Sequence, residues 1–122
     1  MGIVAIKKEK VMERILGNAF SLQMIKTEEG GEAVKVKIVE VSKTLVECEL
    51  SKGFISAVGH ADTAAVITSM LHGVEVPVNR VNVTLNPETR LFVAQVTGGR
   101  LPEGCVTLPE GVSIKFFLVT LE

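Results

Sequence analysis

Gly59-His60-Ala61-Asp62-Thr63-Ala64-Ala65-Val66-Ile67-Thr68-Ser69-Met70-Leu71-His72-Gly73 is the stretch on which the fold turns. Ala64, Ile67, Met70 and Leu71 recur at the spacing of one helical face, and Val66 widens that stripe. A helix is expected to begin near His60 to Thr63 and to stop at Gly73. One apolar helix between glycines, set among segments of a different period, points to a mixed α/β domain.

Outward from that helix the period changes to two. Toward the C-terminus, Val81 to Leu85 alternates, Asn86-Pro87-Glu88-Thr89 is turn chemistry, and Arg90 to Val96 alternates again, which predicts a β-hairpin. Thr97 to Gly111 is rich in glycine and proline and too long for a tight connection, so a lid-like loop is expected there. Ser113 to Leu121 reads as an apolar strand, central in the sheet. Toward the N-terminus, Ser51 is read as the N-cap of a short helix through Val58, and Leu45 to Glu49 as a strand. Val34, Val36 and Ile38 alternate with lysines as a half-buried strand, Glu13 to Ala19 reads as the first strand, and Phe20 to Lys26 as a helical turn. The expected architecture is a small single α/β domain: a mixed β-sheet of about five strands, helices packed on one side, and a β-hairpin. Residues 1–12 read as an N-terminal extension and 13–122 as the domain.

Composition bounds the function. The chain has 122 residues, enough for one core, and its 13 basic residues against 14 acidic ones leave a net charge of −1. Gripping a long nucleic acid normally requires a basic face, so that partner is disfavoured, whereas a few arginines and helix-terminal amides still suffice for a small anion. Trp and Tyr are absent, which removes the aromatic platforms of a single-strand binder. Cys48 and Cys105 form no metal-binding or disulfide pattern, and no apolar run approaches membrane-spanning length, so a cytoplasmic location is expected.

The sharpest chemical feature is His60, placed where a helix start offers unpaired amides to an anion. Histidine titrates near neutrality and can give a proton to a leaving oxygen. A histidine and an aspartate at such a position also cap helices with no further role. Gly98-Gly99-Arg100 puts a guanidinium on a flexible loop, where it can fork onto a phosphate or remain simply solvated. His72 reads as an exposed residue at a helix end. Serine-hydrolase, dinucleotide and P-loop motifs are absent.

Four pieces in order carry a resemblance. They are Leu16-Gly17-Asn18-Ala19-Phe20-Ser21-Leu22-Gln23-Met24, then Ile55-Ser56-Ala57-Val58-Gly59-His60-x-x-Thr63, then Asn79-Arg80-Val81, and finally Gln95-x-x-x-x-Arg100-Leu101-x-Glu103-Gly104. From about Glu13 onward the chain resembles the viral type III anti-CRISPR ring nucleases. That likeness implies a homodimer that degrades cyclic tetra-adenylate, the second messenger of type III CRISPR signalling, with no cofactor and no metal. It makes His60 the general acid and Arg100 the phosphate and transition-state ligand, with Glu103 beside them. Asn18, Ser21, Thr63, Arg80 and Gln95 are then expected to line the ligand site. The chain departs from the family pattern in its N-terminal extension and in Pro102, which stands where an acid is expected. The competing expectations are a dimer that sequesters cyclic oligoadenylate without cutting it, and a dimer with a purely structural role.

Overall fold

The computed structural model describes residues 12–26, 30–31 and 33–122, so the expected extension, apart from Met12, lies outside the described residues. In chain order the elements are β1 (Glu13–Gly17), a 3-10 turn (Leu22–Met24), β2 (Val36–Val41), α1 (Lys43–Leu50), β3 (Ile55–Ser56), α2 (Ala61–Met70), β4 (Thr89–Thr97) and β5 (Ser113–Leu121). The strands form one five-stranded mixed sheet in the order β2-β5-β4-β1-β3. β1 pairs in parallel with β3 and β4, while β5 runs antiparallel to β4 and β2.

Both helices pack on one face. Val46 and Leu50 of α1 and Ala64 and Ile67 of α2 bury against Leu16, Phe92, Ala94 and Phe116. Each large apolar side chain so buried contributes about 1.5–3 kcal/mol relative to exposure. The alternate residues of the same strands, Ile15, Leu91, Val93 and Val119, face the opposite way. That second face is covered by Phe20 and Met24 from the segment after β1, and by Val83 and Leu85 from the segment before β4.

The structure corrects four expectations. Residues 45–49 are helical: Ser42 caps α1 by accepting from the Leu45 amide at 3.1 Å, and Val46 and Leu50 bury at four-residue spacing. Ser51 therefore ends α1 instead of starting a helix; Gly53 turns the chain at φ 108°, and Ile55 and Ser56 pair with Ile15 and Leu16 as β3. Among the described residues, 81–85 pair with no strand, and the hairpin is made by β4 and β5 across loop 98–112. Among the described residues β2 is an edge strand, and it is not half-buried: Ile38 is 54% and Val39 40% exposed, on opposite faces. β1, the turn after it, α2 and β5 lie within a few residues of their expected positions, and β5 is interior, between β2 and β4.

Charged residues lock α1 to its neighbours. Arg14 and Arg90 are register partners on adjacent strands, and Glu49 of α1 receives Arg14 Nε at 3.1 Å and Arg90 at 3.3 Å, with Lys52 also at 3.3 Å. The His72 backbone N–H donates to Glu47 Oε2 at 2.7 Å, tying the end of α2 to α1, and His72 is exposed as expected.

Candidate functional site

The parallel strands β3, β1 and β4 all deliver their carboxyl ends to one rim of the sheet. In open α/β sheets such a rim is where ligands settle, because the chain leaves each strand there as a loop and re-enters as a helix. Asn18 follows β1, His60 and α2 follow β3, and Gln95 and loop 98–112 belong to the end of β4. The rim thus carries Asn18, His60, Thr63 and the loop of Arg100 and Glu103.

His60 is the N-cap residue of α2, with φ −119° and ψ 131°, and its side chain makes no capping hydrogen bond. It is exposed. The first amide bonded within the helix is that of Ala64, to the His60 carbonyl at 3.0 Å, so the N–H groups of Ala61, Asp62 and Thr63 precede the helical ladder. Asp62 does not cap α2 either; its Oδ2 accepts the backbone N–H of Gly104 at 2.7 Å. Among the described residues, the capping role that sequence left open for this pair is filled by neither side chain. Thr63 lies in the first turn of α2, partly buried.

Arg80 lies against this helix start. Its Nε donates to the Gly59 carbonyl at 2.9 Å, and a methyl group at Gly59 would meet Arg80 Cγ at 3.1 Å. Ala57, Gly59, His60, Arg80, Val81 and Asn82 line an open groove of about 410 Å³. Ser21, whose Oγ accepts from the Gln23 amide at 3.2 Å, lines an adjoining groove of about 350 Å³ with Gln23, Met24 and Thr84. Val81 and Asn82 form the crest shared by the two. Gln95 sits apart, in an apolar groove of about 300 Å³ with Phe20, Ile38, Val93, Phe117 and Val119.

Arg100 and Glu103 are exposed on loop 98–112, and among the described residues neither makes a hydrogen bond or ion pair. The Gly104–Asp62 bond brings the chain neighbour of Glu103 to the start of α2. The structure therefore gathers His60, Arg80 and the Glu103 turn at one place, leaves Ser21 next to them across the crest, and keeps Gln95 in a separate groove. Sequence reading missed Asn82 and the role of Asp62. An exposed Asn between two valines in an alternating run was the available signal for the first; for the second, the partner lies 42 residues away. Among the described residues, no cluster of His, Cys, Asp and Glu has the makings of a metal site, and no helix is long and apolar enough to cross a membrane.

Comparison with known proteins bears on the same residues. A search of functionally curated proteins finds no match. Among solved structures, the chain is similar to B116 of Sulfolobus turreted icosahedral virus, at 24% identity and a TM-score of 0.69, over 88% of this chain and 98% of that one. That likeness shows the fold. The family profile described as STIV B116-like matches residues 14–116, which take in most of β1, both helices, the His60–Arg80 groove and the loop carrying Arg100 and Glu103. The chain belongs to the STIV B116-like family.

Proposed function

We propose that this protein is a ring nuclease: as a homodimer it binds cyclic tetra-adenylate and cuts it to linear di-adenylate, switching off type III CRISPR signalling as an anti-CRISPR. The observation that carries the reading is His60, exposed and uncapped at the start of α2, in one groove with Arg80 and beside the turn that bears Glu103. A phosphodiester in that groove meets the α2 amides and the Arg80 guanidinium, both favourable to anions.

The chemistry follows from the substrate's own geometry. A ribose 2′-hydroxyl beside its 3′-phosphate is an internal nucleophile at high effective concentration, so a metal-bound water is not required. The 2′-oxygen attacks phosphorus, the bond to the 5′-oxygen breaks, and the product ends in a 2′,3′-cyclic phosphate. Protonated His60 gives its proton to the departing 5′-oxygen, and Arg100 stabilises the charge on the phosphorane. Glu103 is the carboxylate on the same loop that accepts the 2′-hydroxyl proton. Asn18, Ser21 and Thr63 are assigned to holding the ring; Gln95, which lies in a separate groove, is left out of that assignment. A ring of four identical nucleotides contains a twofold axis, which an isologous dimer matches with two identical acids. The apolar residues left open at β2 and around Phe117 are consistent with association of copies.

The test is metal-free turnover. Wild type and His60→Ala are incubated with cyclic tetra-adenylate in excess chelator and the products resolved by chromatography and mass. Di-adenylate ending in a cyclic phosphate is expected from the wild type, with turnover reduced by about 10²–10⁴-fold in the variant and binding retained. Intact but bound ring in both samples overturns catalysis and leaves a sequestering module.

A further inference from the structure

The loop between β4 and β5 is held at its stem and at one other point. At the stem, Thr97 and Ser113 are register partners and their hydroxyls lie 2.6 Å apart. Within the loop, the Cys105 amide donates to the Pro102 carbonyl at 3.2 Å and the Val112 amide to Pro109, also at 3.2 Å, closing two turns. Among the described residues, the single hydrogen bond from the body of this loop to another element is Gly104 N–H to Asp62 Oδ2, at 2.7 Å.

The turn is built to make that contact. Gly104 is the third residue of Pro102-Glu103-Gly104-Cys105 and has φ 82°, a conformation that L side chains rarely adopt. Such a turn points the amide of its third residue outward while its second residue, here Glu103, stands beside it. The acceptor is equally specific: a carboxylate in the first turn of a helix is favoured by the helix dipole, and its bond to an amide is charge-assisted.

We propose that Asp62 is the latch of loop 98–112, a positioning residue that holds the Glu103 turn, and with it Arg100, against the groove of His60 and Arg80. With the latch made, the Glu103 turn is held at the start of α2, beside the groove; with it broken, the stem is the remaining tie among the described residues and the turn is free to leave α2. A charge-assisted bond of this kind shifts the closed-to-open ratio by about 10- to 100-fold. The effect on turnover rests on the ring-nuclease reading, whereas the latch itself does not.

The experiment uses the full chain, labelled with nitrogen-15, as wild type, Asp62→Ala and Asp62→Asn. Backbone order parameters of residues 99–107 and exchange of the Gly104 amide are measured without ligand. In Asp62→Ala the order parameters are expected to fall to below about 0.6, with α2 and the sheet unchanged. Gly104 exchange is expected to accelerate by about tenfold or more. Asp62→Asn, which keeps an oxygen acceptor without the charge, is expected to fall between. Loop order and Gly104 exchange equal to wild type in Asp62→Ala overturn the proposal; should that variant not fold, wild-type values in Asp62→Asn do so. A second arm measures cyclic tetra-adenylate cleavage: kcat is expected to fall about tenfold in Asp62→Ala and to recover partly in Asp62→Asn. Unchanged kcat in a variant with a loosened loop overturns the positioning role. Failure of the wild type to cut the ring removes the ring-nuclease reading and leaves the ligand-free arm to decide the latch.

Discussion

At the residue scale, Gly59 and Glu49 show how close packing and charge make opposite demands. Gly59 is not in a left-handed conformation; its lack of a side chain matters because Arg80 lies across it, bonded to its carbonyl at 2.9 Å. Gly59→Ala would set a methyl 3.1 Å from Arg80 Cγ and push the guanidinium off the groove wall beside His60. We expect that variant to fold with a melting temperature near wild type and to bind the ring about tenfold more weakly, since one charge-assisted phosphate contact is worth about 1.5 kcal/mol or more. Titration of His60→Ala and of Gly59→Ala/His60→Ala with cyclic tetra-adenylate checks this without turnover, and equal affinities would show that Arg80 does not touch ligand. Glu49 carries stability. Partial burial works to raise its carboxyl, but the hydrogen bonds from Arg14 and Lys52 and their charges outweigh that, so it titrates below the ordinary carboxylate value. A carboxyl lowered in the folded state stabilises the protein above its unfolded pKa, and that contribution disappears as pH falls through the folded value. Glu49→Gln should therefore lower the melting temperature by roughly 4–8 °C at pH 7, for a loss of about 1–2 kcal/mol, and the gap should narrow below pH 4. A gap independent of pH would mean that Glu49 acts by packing alone.

At the element scale, the informative part is the return from α2 to β4, because it explains why an alternating sequence made no strand. Val83 and Leu85 are buried and Thr84 is exposed, so the period-two pattern correctly reports one buried side. What the pattern does not report is the partner: the segment lies on the sheet face, not in the sheet plane. Much of its hydrogen bonding goes to side chains and isolated carbonyls. Thr68 Oγ1 accepts the Val76 amide, Ser56 Oγ donates to the Pro77 carbonyl, Asn79 donates to the Ser56 carbonyl, and the Leu85 amide donates to the Met24 carbonyl. A similar ambiguity hid α1, where Thr44-Leu45-Val46-Glu47-Cys48-Glu49 alternates well enough to pass for a strand while the cap at Ser42 and the Val46–Leu50 spacing decide for a helix. α2 was legible because its apolar stripe is broad, and β5 because its apolar run is long. The rim residues His60, Arg80 and Arg100 were legible through motif order; the Asp62–Gly104 contact was not, because it exists only after the chain has folded. These hydroxyl bonds make a prediction at this scale. Thr68→Val keeps the shape of the side chain but leaves the Val76 amide without its acceptor at 2.9 Å, which costs about 1–3 kcal/mol. Denaturant unfolding should show that loss with an unchanged slope, and a loss below about 0.5 kcal/mol would show that water replaces the hydroxyl.

At the scale of the whole molecule, the sheet separates the packed core from the candidate site. One face is filled by helices, the other is partly covered by two irregular segments, and the carboxyl ends of β3, β1 and β4 are left to carry His60, the Arg80 groove and loop 98–112. One copy supplies one His60 and leaves it exposed in an open groove, whereas a four-membered ring presents equivalent phosphodiesters around a twofold axis. Under the proposed reading, each subunit therefore cuts one bond and the two cuts fall on opposite sides of the ring. Two measurements follow. Native mass spectrometry of His60→Ala with cyclic tetra-adenylate should show one ring per two chains, and one ring per chain would remove the shared site. A hybrid dimer of one wild-type and one His60→Ala subunit, isolated through two different affinity tags, should open the ring at close to half the wild-type rate and then stall, because the second bond faces the subunit that lacks its acid. In a single turnover it should accumulate linear tetra-adenylate, which is consumed only as the opened chain dissociates and rebinds in the other orientation, while the wild type passes to di-adenylate. Direct formation of di-adenylate by the hybrid at the wild-type rate would mean that one His60 reaches both bonds and that the symmetry of the pair has no part in the reaction.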